Sequence, residues 1–274
     1  MIFYFFIATV KDAAVAMAER IGGTEEEFVK MMNNKVKELR LNNTNFVNAC
    51  GLDDDNHYSS AKDMAIIANE LIKYDDILKY TGTYEDYLRK DTENSFWLVN
   101  TNKLVRYYQG VDGLKTGYTD KSGYCITTTA KRNNLRLITV VMGEPSSSIR
   151  NSETTAMLDY GFNTYQIDTL VGYNESLSRE KVLMGDDDYV DVVPVKSVDI
   201  LNKKVGDKRD VNYKLYLDDI KAPVKVGDVI GKIRVMENKK VIMEVDVTVK
   251  NEVKKANFFK VYYEGLLNKL KGTF

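Results

Sequence analysis

The stretch Gly110-Val-Asp-Gly-Leu-Lys-Thr-Gly-Tyr-Thr-Asp-Lys-Ser-Gly-Tyr-Cys-Ile-Thr-Thr-Thr-Ala130 decides how this chain is read. Within it Lys115, Thr116 and Gly117 are consecutive. A cation, a hydroxyl and a residue without a side chain, presented along a strand edge, can bind the carboxylate end of a peptide. The tripeptide alone is short enough to recur by chance on a solvated edge, so its surroundings carry the reading. Cys125 to Ala130 and Leu135 to Met142 are strand-like runs, and Asn133-Asn134 between them has hairpin-turn chemistry. The motif strand therefore gains an antiparallel neighbour. A helix from about Ser148 to Tyr160, closed by Gly161, is expected to pack on this sheet.

Upstream the period changes from two to 3.6. Ala14, Val15, Met17, Ala18 and Ile21 have helical spacing, and Gly22-Gly23 supplies a left-handed stop. Thr24-Glu-Glu-Glu27 has capping-box form ahead of a second apolar stripe, Phe28, Met31, Met32, Val36 and Leu39. Asn42 to Asn45 and Asp53 to Asn56 are turn-rich, and a third helix, Ala61 to Ile72, starts from Ser59 or Ser60. Phe96 to Val99 reads as a short strand.

After about Asp168 the chain turns β-rich, with runs at Tyr189–Val195, Val211–Leu217, Val229–Met236 and Val241–Val249 and a turn at Glu237-Asn-Lys-Lys240. Period-two alternation with such turns predicts a small all-β sandwich. The last segment, 254–274, places Phe258, Phe259, Tyr262, Tyr263, Leu266, Leu267 and Leu270 at helical spacing among lysines. That pattern suits an amphipathic helix lying flat on a membrane, or one docked on the sandwich.

The 274 residues, 44% of them hydrophobic, allow one large core or two smaller ones. With 39 basic against 40 acidic residues the net charge is −1, which supplies no field for nucleic acid. Cys50 and Cys125 are expected to be buried free thiols, a single disulfide between them being the alternative. No metal-ligand spacing or phosphate-cradling glycine loop is present, so neither metal nor cofactor is expected. His57, the only histidine, reads as a loop or packing residue. Met1 to Val10 is apolar but shorter than the roughly 20 residues needed to cross a bilayer, and it lacks the basic start of a signal peptide.

Taken in order, Asp12 to Glu19, Gly51-Leu with His57 to Ala65, Asn100-Thr-Asn-Lys-Leu104, Gly110 to Asp120 and Leu158-Asp-Tyr-Gly-Phe162 resemble the D-alanyl-D-alanine carboxypeptidases, the low-molecular-weight penicillin-binding proteins. The resemblance runs from about Ile7 to about Lys254. It implies an α+β fold: part of a penicillin-binding/β-lactamase-like transpeptidase domain, with helices packed on an antiparallel sheet (1–167), then an all-β sandwich domain (168–253), then the amphipathic helix (254–274) as a membrane anchor. The reaction it implies is removal of the terminal D-alanine from a peptidoglycan stem peptide through an acyl-serine intermediate. Stem peptides and β-lactams are then the ligands, and the extracytoplasmic face of the cytoplasmic membrane, in a bacterial cell envelope, is the location.

Of the three motifs such enzymes use, only Lys-Thr-Gly is intact. By resemblance Lys115 supplies charge, Thr116 a hydroxyl bond to the substrate or β-lactam carboxylate, and Gly117 room for the peptide backbone. Arg150 falls where the family carries a carboxylate-binding arginine, although its polar setting, Ser146 to Ser152, equally suits an exposed arginine at a helix start. The second motif, Ser-x-Asn, lands on Thr9-Val10-Lys11. Thr9 keeps a hydroxyl at the position of the proton-relaying serine, whereas Lys11 replaces an amide that donates and accepts with a cation that only donates. That change is expected to impair substrate binding.

The first motif, Ser-x-x-Lys, matches only at Ser59–Lys62 and Ser178–Lys181, both out of order, so the nucleophile is expected to be missing from this chain and the chain to be inactive alone. Beside the family pattern, Met1 to Val10 looks like the interior of a core helix, and the chain reads as beginning mid-domain. A non-catalytic envelope protein that binds or positions on the same scaffold is the alternative. A β-lactamase ranks last, since it has no need of the region beyond Asp168.

Overall fold

The computed structural model describes residues 11–206 and 209–257, and the chain divides into two compact units, 1–164 and 165–274. Among the described residues, unit one opens with α1 (Lys11–Gly22) and α2 (Glu25–Glu38). Gly23 separates them at φ +85°, a left-handed value that glycine adopts without a Cβ clash. Thr24 then caps α2, its hydroxyl accepting from the Glu27 N–H at 3.2 Å. Helix α3 (Ala61–Leu71) is capped by Ser60. One turn in, buried Asp63 accepts from the Asn43 N–H at 2.9 Å and the Thr44 hydroxyl at 2.8 Å, which ties the turn-rich segment to the helix start.

The short α4 (Asp76–Thr81), the hairpin β1 (Glu85–Leu88) and β2 (Phe96–Val99), and α5 (Leu104–Tyr107) lead to the central sheet. This sheet is antiparallel with order β3-β4-β5: β3 (Val111–Thr119), β4 (Gly123–Arg132) and β5 (Leu135–Glu144). The β4–β5 hairpin turns at Asn133-Asn134, with Asn133 at φ +53°. Helix α6 (Ser147–Thr164) follows. Strand β5 offers Val140 and Met142 to the α3 side and Leu137 and Thr139 to the α6 side, so helices line both faces. Leu114, Ile126, Ala130, Leu158 and Phe162 are buried there.

Gly161 does not close this helix. It sits within α6, where a Cβ would come within 2.5 Å of Leu137 Cδ1. The residue that reads as a stop instead marks where helix and sheet approach too closely for a side chain.

Unit two holds a five-stranded antiparallel sheet of order β10-β11-β12-β8-β7 and a two-stranded sheet β6-β9. Its strands are β6 (Tyr165–Val171), β7 (Ser178–Lys181), β8 (Tyr189–Pro194), β9 (Val198–Lys203), β10 (Val211–Leu217), β11 (Gly231–Glu237) and β12 (Lys240–Val249). Val171, Val198 and Ile200 of the small sheet share one core with Val192, Ile233, Val235, Val245 and Val247 of the large one. This is the two-layer packing that alternating strands require. The β11–β12 hairpin turns through Asn238 and Lys239, both at positive φ. Among the described residues no helix is long and apolar enough to cross a membrane. Of the helix expected over 254–274, residues 254–257 are extended instead, with Lys255 bridged to Gly185 and the Ala256 N–H donating to the Met184 carbonyl at 2.8 Å; from residue 258 on the expected helix lies outside the described residues.

Candidate active site

Strand β3 pairs with β4 on one side and is the outer strand of its sheet among the described residues. Lys115, Thr116 and Gly117 therefore lie on an edge whose backbone can accept an extended peptide. Gly117 is exposed, and among the described residues a Cβ added to it would meet nothing within 4 Å, so the edge is open there. A cleft of about 390 Å³ runs along it, lined by Lys11, Phe46, Cys50, His57, Lys115 and Gly117 among others. Behind the motif a smaller apolar cavity of about 260 Å³ separates Met64, Ile67 and Leu71 of α3 from Val140 and Met142 of β5.

The Lys115 ammonium donates to the Thr116 carbonyl at 2.7 Å. Burial pulls its pKa down to about 8, and the like charge of Arg150 pushes the same way. Arg150 lies in the first turn of α6 and is 5% exposed. The exposed helix-start alternative is thereby overturned. Its guanidinium bonds Asn151 Oδ1 through Nε at 3.2 Å and Nη2 at 2.9 Å. Burial lowers its pKa, offset in part by Cys125 and Tyr124. Two cations within electrostatic reach of one another, both desolvated, favour the arrival of an anion.

Thr116 is buried, and its hydroxyl donates to Thr101 Oγ1 at 2.6 Å. Nothing local in Asn100 to Leu104 shows which strand the loop meets, so the sequence alone does not reveal Thr101 as a partner of Thr116. Tyr118 and Tyr124 are register partners on β3 and β4, and their rings pack beside the motif with centroids 4.3 Å apart and planes tilted by 35°.

Thr9 lies outside the described residues, while Lys11 begins α1 and lines the cleft. His57 accepts from the Val47 N–H at 3.3 Å and meets Phe46 edge-on at 5.6 Å, and burial lowers its pKa. Neither Ser-x-x-Lys sequence resembles a nucleophile with its base. The Ser59 hydroxyl bonds Thr44, Ser60 caps α3 and Lys62 is exposed. Ser178 and Lys181 lie on strand β7, where residues three apart point to opposite faces. Cys50 and Cys125 are free and half-buried rather than fully buried, and both line the cleft. Among the described residues no three His, Cys, Asp or Glu side chains come together as a metal site.

Known proteins match most of this chain. A sequence profile of the D-alanyl-D-alanine carboxypeptidases matches residues 1–146, and one of the penicillin-binding protein 5 C-terminal domain matches residues 165–255. D-alanyl-D-alanine carboxypeptidase DacF of Bacillus subtilis is 47% identical over 253 residues, 92% of this chain. The chain spans 65% of that relative's length. Penicillin-binding protein 5 of Haemophilus influenzae superposes with a TM-score of 0.64 at 33% identity, covering 92% of this chain and 73% of that one. Penicillin-binding protein D2 of Listeria monocytogenes, solved in its cefotaxime-bound form, superposes with a TM-score of 0.53 at 34% identity over 58% of this chain and 64% of that one. An open strand edge carrying Lys-Thr-Gly, a buried arginine beside it and profile matches to both units lead to one conclusion: the chain belongs to the D-alanyl-D-alanine carboxypeptidase family.

Proposed function

We propose that the β3 edge holds the carboxylate terminus of peptidoglycan stem peptides, and of β-lactams, for a serine-type D-alanyl-D-alanine carboxypeptidase of the bacterial cell envelope. The observation that carries this is the juxtaposition of Lys115 and Arg150, two desolvated cations, at the edge where Thr116 and exposed Gly117 sit. Lys115 and Arg150 attract the carboxylate, Thr116 donates to it, and Gly117 admits the peptide backbone as an added strand. In the full reaction a serine hydroxyl attacks the carbonyl of the penultimate D-alanine. The terminal D-alanine leaves as an amine after gaining a proton, and water then hydrolyses the acyl-serine. The Listeria relative, solved with cefotaxime, supports a β-lactam as an alternative occupant.

Unit one, 1–164, then forms part of the carboxypeptidase domain and unit two its all-β companion, and the chain beyond Ala256 is the segment that meets the outer face of the cytoplasmic membrane. Neither internal Ser-x-x-Lys has the geometry of an activated nucleophile, so residues 1–274 by themselves bind without acylating. A fluorescent penicillin tests both parts. Reversible polarisation without a covalent band on a denaturing gel is the expected result. A covalent band contradicts the non-acylating part, and no polarisation contradicts the binding part. Lys11, a cation on the cleft wall where the family carries an amide, favours a second reading, a non-catalytic envelope protein that binds stem peptides to position them.

A further inference from the structure

Thr101 is an exposed residue held between two fully buried asparagines. Asn100 donates through Nδ2 to the carbonyls of Thr81 at 3.0 Å and Thr83 at 2.9 Å, and its Oδ1 accepts from the Asn102 N–H at 2.8 Å. Asn102 in turn donates to the Gly113 carbonyl at 3.1 Å, two residues before Lys115, and its Oδ1 accepts from the Leu104 N–H at 3.1 Å. Every one of these bonds ends on backbone. The loop is therefore fixed to the start of β3, and Thr101 is set opposite Thr116, 2.6 Å between hydroxyl oxygens.

A threonine hydroxyl has one proton to donate and lone pairs to accept with. In this structure Thr116 spends its proton on Thr101. A carboxylate only accepts, so a Thr116 that bonds one must redirect that proton. Its bond to Thr101 then survives only if Thr101 becomes the donor. Thr101 is exposed, so its own hydroxyl can rotate without stranding a buried group.

We propose that Thr101 is a positioning residue: when a carboxylate-terminated ligand arrives, the Thr101–Thr116 hydroxyl pair reverses, Thr101 donating to Thr116 and Thr116 donating to the carboxylate. The chain of two hydroxyls ending on an anion polarises cooperatively and strengthens the terminal bond. The proposal rests on the reading of Lys115 to Gly117 as a carboxylate site and adds the group that sets the hydroxyl direction there.

The test is calorimetric titration of the full chain with an Nα-acyl-D-alanyl-D-alanine and with its C-terminal amide. Wild type is expected to prefer the acid. Thr101→Val, which keeps the shape and removes the hydroxyl, is expected to shrink that preference roughly fivefold without lowering the thermal midpoint, and Thr101→Ser is expected to restore it. A preference unchanged in Thr101→Val overturns the reversal while leaving the carboxylate site standing. A wild type that does not distinguish acid from amide overturns both.

Discussion

Lys115→Met is expected to weaken binding of a carboxylate-terminated D-alanyl dipeptide about tenfold to a hundredfold while leaving thermal stability undiminished. Methionine has a similar length and keeps the packing against the apolar cavity behind the motif, so what disappears is the charge. A hydrogen bond to a charged group contributes about 1.5–3 kcal/mol, which converts to that range of affinity. Removing a desolvated ammonium also removes an unfavourable burial, so the fold has no reason to suffer.

The pH dependence gives the same residue a second signature. In the free protein Lys115 loses its proton near pH 8, so affinity for an anion is full below that value and falls as pH rises through it. Stability runs the other way. The unfolded lysine holds its proton to about pH 10.4, so between pH 8 and that value the unfolded state binds more protons and stability from this group rises with pH. Affinity that falls while the unfolding midpoint rises identifies a buried lysine at the site, and Lys115→Met abolishes both trends. A binding profile that is flat from pH 7 to 9.5 in the wild type contradicts the assignment.

Ile233→Ala is expected to destabilise unit two by about 2–5 kcal/mol, a large share of the 5–15 kcal/mol that holds a typical domain together. Ile233 is fully buried in β11, and the core around it is built from β-branched side chains of both sheets, Val192, Val198, Val245 and Val247 among them. Such side chains have few alternative rotamers, so the vacated volume does not refill. Urea denaturation followed by far-ultraviolet circular dichroism reads the change. A loss under 1 kcal/mol contradicts the packing described for this sandwich.

Much of this architecture is written locally. Gly23, Thr24 and Ser60 announce helix ends because capping is a matter of three or four neighbouring residues, and all three act as their chemistry predicts. Asn133-Asn134 and the Glu237–Lys240 turn likewise join the strands that alternation marks. What stays hidden depends on partners far along the chain. Strands β6 and β9 pair across some thirty residues and alternate only over short runs, Tyr165 to Asp168 and Val198 to Ile200, and β7 is four charged or polar residues whose strand character comes from β8. Gly161 reads as a helix stop, since nothing in its neighbours reveals Leu137 pressing from the sheet.

The candidate site divides the same way. Lys115 to Gly117 can be found by inspection, because strand, cation and glycine are contiguous. The burial of Arg150 cannot, since Ser146 to Ser152 is polar and the effect arises where α6 comes near Lys115, Tyr124 and Cys125. Thr101 is invisible for a related reason: its importance lies in a 2.6 Å contact with a residue on another element. Lys11 is legible as a departure from the family's asparagine, but only the structure places it on the wall of the same cleft.

The central claim is that the edge of β3 receives a peptide carboxylate, and a nuclear magnetic resonance titration of the labelled chain with an Nα-acyl-D-alanyl-D-alanine tests it most directly. Amide shifts that grow saturably along Lys115 to Thr119 and at Tyr124, together with a shifted Arg150 side-chain resonance, are the predicted result. Saturable shifts confined to other surfaces, or none at millimolar ligand, contradict it.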